Sequence, residues 1–456
     1  MKSEGLLVLA LACLCSACDP APPSILLITV DTLRADHLGA YGFDPEVSPS
    51  FDALASESAV FERALAASSR TAPSHASIMT SRWVSEHSIG SINGASRLLE
   101  SERTLAGAFQ EAGWETAAFV SNMMLRRRMG FDNGFLFYDD VLLDREANRM
   151  VEERIADKTT ERALRWLAEE REKPFFLWVH YNDPHGPYEP PPPYDTPLSP
   201  ANPQERPLPV LSTHFGRNGI PSYQALPNLR KPSEYRHRYA GEIRYFDAAL
   251  GRLLEAADRT ATPRSLIVLL TADHGESMGE QGHYFSHGGI TTPDVAHVPF
   301  LLRAPGVEAT RRSELVHHVD VLPTLLELVG LPVPEDARGI SLGPALRDAT
   351  PVPQRILFTD VGMEVSAYRG NQFFRVRIQP PEQEPEAGAP PGSVRASGRG
   401  YQWKDGARFR QAKAEPELRR AVERYMKTRS EPSLAAPLPV ENQDLLRALG
   451  YLPPEP

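Results

Sequence analysis

Short apolar runs recur along the chain at residues 25–30, 114–120, 174–180, 266–271 and 298–302. Brief runs of this kind, bounded by turn residues, are the pattern of strands buried on both faces. Between them the apolar positions take helical spacing. Residues 104–112 stop at Gly113, a residue that closes helices. Residues 148–170 read as a long amphipathic helix, and 233–257 as another that Ser233 caps. A further helix over 319–329 ends at Gly330, with Pro332 beyond it. Strands alternating with helices predict an α/β fold with a mainly parallel sheet.

Two stretches depart from this alternation. Residues 187–232 are Pro-rich and aperiodic, as expected of a surface insertion beside a site. Beyond residue 351 the spacing changes: 355–359 and 373–378 read as strands, 380–392 as low complexity and 416–427 as a helix. The expected organisation is a catalytic domain over 24–350 and a smaller α+β C-terminal part over 351–456. No internal repeat is evident.

Composition narrows the classes. The chain has 456 residues, 41% of them hydrophobic, enough for a large core. A formal charge of −10 argues against a nucleic-acid partner, which would meet a basic face. The N-terminus carries Lys2, an apolar run over 5–15, then Ser16, Ala17 and Cys18. These are the proportions of a signal peptide over residues 1–18, too short to span a bilayer. The small residues before Cys18 resemble a bacterial lipoprotein cleavage site, which implies a lipid anchor on Cys18 and a cell-envelope location; plain secretion is the alternative. Cys13, Cys15 and Cys18 are the only cysteines, so the expected mature chain has neither a disulfide nor a thiol nucleophile.

The candidate chemistry falls at strand ends, where open α/β sheets build their sites. One strand runs into Asp31, Thr32 and Arg34; another into a loop with Asp183, His185 and Tyr188; a third into Asp273, His274 and Glu276. Any one of these suits an ordinary turn: Asp31 favours caps, and His185 fits a solvated loop. Three on one sheet point to a metal, since adjacent Asp273 and His274 form a compact half-site. His283 and His287 fit exposed flap positions, His283 the more so. His317 and His318 read as structural, and Arg126, Arg127 and Arg128 as a solvated turn.

The stretch "SSRTAPSHASIMTSR" (68–82) leads into a helix, with Pro73 near its start. Thr71 fits an N-cap, and the same geometry suits a nucleophile, because a helix N-terminus attracts anions. A threonine hydroxyl needs deprotonation to attack, which metal coordination achieves.

These residues resemble the sulfatase family of the alkaline phosphatase superfamily. "ILLITVDTLRADHLGAYG" (25–42) is similar to the family's first strand and metal loop, and "TAPSHASIMTSR" (71–82) to its nucleophile signature. "FFLWVHYNDPHGPYEPP" (175–191), "VLLTADHGESMGEQGHYFSHGG" (268–289) and "HVPFLLRAPG" (297–306) extend the likeness, which spans about 25–330 in order. The resemblance implies that Asp31, Asp273, His274 and Thr71 hold one divalent cation, with Thr71 as nucleophile. It further implies that His185 and His287 serve the substrate or leaving group, with His75, Arg34 and Tyr188 as substrate-binding candidates. Asp183, His185 and His287 offer a second metal position.

The departures carry equal weight. Family members convert Cys or Ser at the nucleophile position to formylglycine, an aldehyde that Thr71 cannot yield. His75 stands where the signature has Arg, Thr32 where a second Asp is usual, and His274 where Asn is usual. Fewer carboxylates and more nitrogen favour Zn²⁺ or Mn²⁺ over Ca²⁺. The expected activity is therefore a metal-dependent ester hydrolase on phosphate mono- or diesters or phosphonates, its substrate a small molecule or an envelope glycan or lipid. The alternatives are a sulfuric ester hydrolase without formylglycine, a phosphoethanolamine or phosphoglycerol transferase, and an inactive glycan-binding relative.

Overall fold

In the computed structural model the run at the N-terminal end becomes the central strand of a large sheet. The structure describes residues 21–87, 89, 97–146, 148–261, 265–378 and 396–428. The sheet's strands are β1 (Ser24–Val30), β2 (Ala59–Leu65), β3 (Glu115–Phe119), β4 (Phe137–Asp139), β5 (Phe175–Tyr181), β6 (Leu266–Ala272), β7 (His297–Val298), β8 (Phe300–Arg303) and β9 (Thr310–His317). Their order is β7-β2-β8-β6-β1-β5-β3-β4, with β9 also paired to β2. The β6-β1-β5-β3-β4 half is parallel, and β8 joins β6 antiparallel. Every residue of β1 and β5 is buried, which explains their mostly apolar character.

The helices that bear on the site and the sheet are α1 (Thr71–Thr80), α2 (Leu105–Glu111), α3 (Ala156–Leu167), α4 (Pro232–Ala261) and α5 (Val321–Leu328), beside a further helix at Pro49–Ser56 and shorter turns. Thr104 caps α2, its hydroxyl accepting from Gly107 N at 3.0 Å. Three expectations need correction. The helix expected over 148–170 is α3 alone, because the buried Arg154 donates to Asp139 (2.7 Å) and to Val120 O (2.8 Å) and pins the preceding chain as extended. Residues 152–153 instead pair with 144–145. Ser233 is not a cap, because α4 already begins at Pro232; Glu234 Oε2 accepts from the amides of Arg230 (2.9 Å) and Lys231 (2.8 Å) instead. The run at 298–302 is cut at Pro299, which has no N–H for the ladder.

The C-terminal part is an antiparallel sheet of β10 (Leu357–Asp360), β11 (Glu364–Arg369), β12 (Gln372–Ile378), β13 (Ala396–Asp405) and β14 (Arg408–Ala412) in sequence order. Helix α6 (Pro416–Lys427) covers one face with Leu418, Val422 and Tyr425. On the other face Tyr368, Phe373 and Trp403 pack with Leu65 and Ala296 of the main body. The fold is thus α/β with a mostly parallel central sheet and a smaller α+β part. The expected signal segment with Cys18, the low-complexity stretch at 380–392 and the C-terminal tail lie outside the described residues. Among the described residues no helix is long and apolar enough to cross a membrane.

Candidate functional site

Strand register builds the site. Val30 is aligned with Tyr181 on one side and Ala272 on the other, so three chain ends leave the sheet level with one another. The ladder runs one step further: Asp31 N donates to Tyr181 O (2.9 Å), and Asp273 N donates to Val30 O (3.1 Å). Asp31 and Asp273, 242 positions apart in sequence, are thereby neighbours. Thr32 then turns in the left-handed region at φ 56°, a conformation costing a β-branched residue roughly 1–3 kcal/mol. Its N–H donates to Asp273 Oδ1 (3.2 Å), and its carbonyl accepts from Tyr239 OH (2.6 Å), which hold the turn.

Each carboxylate is half satisfied. Asp31 Oδ2 accepts from Asn122 Nδ2 at 2.8 Å, and Asp273 Oδ1 accepts from His274 N at 2.7 Å. Asp31 Oδ1, Asp273 Oδ2 and His274 Nε2 are buried without any hydrogen-bond partner. His274 Nε2 lies 3.8 Å from the first and 3.5 Å from the second. Orphaned buried polar atoms cost about 1–3 kcal/mol each, so three converging on one point call for a shared partner. With Nδ1 donating to Gly275 O at 3.0 Å, His274 presents the Nε2 lone pair, the tautomer a metal ligand needs. Burial, then Asp273, pushes the Asp31 carboxyl well above its ordinary range, and burial pushes Asp273 up to about 8. A cation would hold both ionised. The donor set therefore fits a divalent metal.

Thr71 stands over this point as the first residue of α1, with Arg70 rather than Thr71 at the N-cap. The cap expectation is corrected by one residue; the Ser68–Ser74 pair clamps the loop instead. Ser74 Oγ accepts from Ser68 N (3.1 Å) and donates to Ser68 O (2.8 Å). Thr71 Oγ1 lies 3.5 Å from Asp31 Oδ2, and the residue is almost fully buried.

Thr71, His185 and His287 line one cleft. The His185 and His287 rings are 5.2 Å apart, and His287 is 4.5 Å from the His274 ring. His287 Nδ1 donates to Glu276 Oε1 (3.2 Å), and Tyr188 OH donates to Glu276 Oε2 (3.1 Å), so the buried Glu276 orients His287 with Nε2 free. Burial, then Arg149 and Arg70, holds the His287 imidazole at about 3. Burial, then His287, holds His185 well below its usual range.

The structure does not bring every candidate to the cleft. His75 is fully buried, its ring nitrogens meeting Thr71 O (2.8 Å) and Thr29 Oγ1 (3.0 Å), so it braces the start of α1 from beneath. Arg34 is buried in a separate network, donating to Glu276 O (2.9 Å) and Glu280 Oε1 (2.8 Å). Tyr188 acts through Glu276. Asp183 joins Glu153 and Glu242 in an acidic cluster, and no grouping with His185 and His287 suited to a metal occurs among the described residues. His318 donates or accepts only within the fold, at Ala67 N (3.2 Å) and Ala272 O (2.9 Å).

Other residues at the site escape sequence reading. Asn122 follows β3 and so obeys the same strand-end rule. His180 hides inside β5 with Nε2 3.9 Å from Asp31 Oδ2. Arg149 stacks 4.2 Å over Tyr223 on the cleft wall, ion-paired to Glu146 at 2.6 Å. Nothing in their spacing announces the last two.

The sulfatase family profile matches residues 23–331, more than half of the chain. An arylsulfatase of Clostridium perfringens is 26% identical over 380 residues, covering 70% of this chain and 77% of that protein. A Delta 4,5-hexuronate-2-O-sulfatase of Bacteroides thetaiotaomicron is 26% identical over 375 residues, covering 73% and 74%. The phosphonate monoester hydrolase of Silicibacter pomeroyi superposes with a TM-score of 0.66 at 19% identity, covering 91% and 97%. With the strand-end site in place and its donor set fitting a divalent cation, the match over 23–331 leaves one conclusion: the chain belongs to the sulfatase family and is a hydrolase of ester bonds.

Proposed function

We propose that Thr71 is the nucleophile of a metal-dependent hydrolase that prefers phosphate esters or phosphonates to sulfate esters. The observation that carries this reading is the Thr71 hydroxyl 3.5 Å from Asp31 Oδ2, on the carboxylate whose other oxygen is unpartnered together with Asp273 Oδ2 and His274 Nε2. A divalent cation held by those three residues and Thr71 Oγ1 would lower the hydroxyl's pKa so that its proton passes to water; the mixed nitrogen and oxygen set suits Zn²⁺ or Mn²⁺ better than Ca²⁺. The helix N-terminus at Thr71 stabilises the alkoxide and the incoming anion. Arg149 and Arg70, on the cleft wall, favour a negatively charged ester.

The alkoxide oxygen forms the new bond to phosphorus as the bond to the leaving alcohol breaks. Water held on the Nε2 lone pair of His287, which Glu276 orients, or on His185 gives the leaving oxygen its proton, and a second water then cleaves the phosphothreonine. A threonine has no route to a formylglycine aldehyde, and a phosphothreonine needs none. Sulfate esters are the second reading, favoured by the sulfatase activities for which the relatives are named. We further propose a lipid anchor on Cys18 in a bacterial envelope, tested by loss of labelled palmitate in Cys18→Ser.

The decisive experiment is a panel of aryl phosphate, phosphodiester, phosphonate and sulfate esters on metal-reconstituted protein, run beside Thr71→Ala. Unchanged turnover in the variant would remove Thr71 from the mechanism, and activity on sulfate esters alone would remove the phosphoryl preference.

A further inference from the structure

The C-terminal sheet forms one wall of a second cleft, whose opposite wall carries Arg217 and His283. In a chain of net charge −10, this cleft gathers Arg217, Arg375, Arg377 and Arg399 about Glu364, the one carboxylate among its described lining residues. The strand register explains the crowding. Arg375 on β12 faces Arg399 on β13, and alternation along β12 brings Arg377 onto the same face. Like charges directly opposite one another weaken a sheet, so this pairing opposes local stability.

Glu364 does not neutralise the group. It is buried, its Oε1 accepts from Thr291 N (2.9 Å) and Thr291 Oγ1 (3.0 Å), and it lies 3.9 Å from Arg375. Arg375 is fixed in place, donating to Tyr401 OH (3.0 Å) with its guanidinium 5.0 Å from that ring's centre. Arg217, Arg377 and Arg399 are exposed and make no ion pair among the described residues. The imidazole of His283 is held below its usual range by burial and then by Arg217, Arg377 and Arg375, as a positive field requires.

The two clefts share a partition. Phe215 and His287 line the catalytic cleft, while Arg217 and His283 line the second. The strands between are tied together, Tyr284 N donating to Gly216 O (2.9 Å) and Gly216 N to Ser286 Oγ (3.1 Å). A ligand reaching across this partition is extended and carries more than one negative group. The lining around the arginines offers Ser397, Gln281 and Tyr401 and little apolar surface for an acyl chain.

We propose that Arg217, Arg375, Arg377 and Arg399 form an anion site for a remote carboxylate, sulfate or phosphate of an anionic oligosaccharide whose ester occupies the catalytic cleft. That both groups belong to one molecule rests on the hydrolase reading above; the anion site itself does not.

The test uses the metal-loaded full chain and a fluorescein-labelled heparin hexasaccharide, with a neutral dextran oligosaccharide as control. Wild type should bind the hexasaccharide with an affinity that falls as salt rises, as screening and ion release require. The triple variant Arg375→Gln, Arg377→Gln, Arg399→Gln should bind about tenfold more weakly with a shallower salt dependence. The double variant Arg377→Lys, Arg399→Lys, which keeps charge, should retain most of the affinity. Far-UV circular dichroism and melting establish that the variants fold. Unchanged hexasaccharide affinity in the triple variant overturns the site, as does equal binding of dextran or arginine-dependent capture of anionic phospholipid vesicles in place of the hexasaccharide. Turnover of a small aryl ester should be unchanged in the triple variant. If wild type turns over no ester at all, the hydrolase reading fails, and the affinity measurement still decides the anion site.

Discussion

At the ends of β1 and β6 two carboxylates are fully buried, each with one oxygen unpartnered, whereas on β12 and β13 the arginines reach into water. In the first region charge sits where the dielectric is low, so every missing partner is costly and a bound cation is decisive. In the second, solvent screens the charges, and a ligand's anion adds a graded, salt-dependent gain. The backbone differs too. Level parallel strands bring side chains from distant positions to one point, while antiparallel pairing spreads residues of adjacent strands over a face. One arrangement suits a reacting centre and the other suits recognition along a chain.

The largest break in this contrast comes at Thr71. Thr71→Ala should lower kcat by about 10³-fold or more on every ester the protein cleaves, read in steady-state assays with melting unchanged. Next, chelator-treated protein should gain roughly 2.7 kcal/mol when Zn²⁺ or Mn²⁺ is supplied at about 100 times its Kd, seen as a rise in Tm. Asp31→Asn should lose that rise, and a rise of the same size would detach the carboxylate from the cation. Glu276→Gln should cost about 10–100-fold in turnover, through a misoriented His287, while leaving the metal-dependent Tm shift in place; a lost shift would mean that Glu276 serves the metal instead.

The smallest expected effect lies beside the cleft. Burial, then Asp183, pushes the Glu153 carboxyl up to about 8, against 4.5 when unperturbed. The folded chain keeps this proton between those values while the unfolded chain has released it, so the group's contribution to stability is full below about pH 4.5 and is lost as pH rises toward 8. Glu153→Gln should flatten the decline of Tm over that window. An unaltered slope would place the proton elsewhere in the cluster, on Asp183 or Glu242, both of which burial also raises.

Much of this is legible in the sequence. The five apolar runs fall on strands of the main sheet, because strands buried on both faces have no polar alternation to obscure them. Helix limits are less legible. Arg154 ended one helix early through partners at Val120 and Asp139, a contact that no window of local sequence contains. The strand-end rule pointed to Asp31, Asp273, His274 and His185, a helix start pointed to Thr71, and the family resemblance supplied their expected roles.

The residue types themselves were enough to predict an α/β sheet, a metal-suited pair at Asp273 and His274, and a hydroxyl at the start of a helix, since these depend on local chemistry and order along the chain. Only the tertiary structure decided that His75 braces the helix from below, that Glu276 orients His287, and that Arg375 and Arg399 stand face to face. Those facts depend on strand register and on which side of a packed layer a side chain falls, and neither quantity is encoded within a few residues of the group concerned.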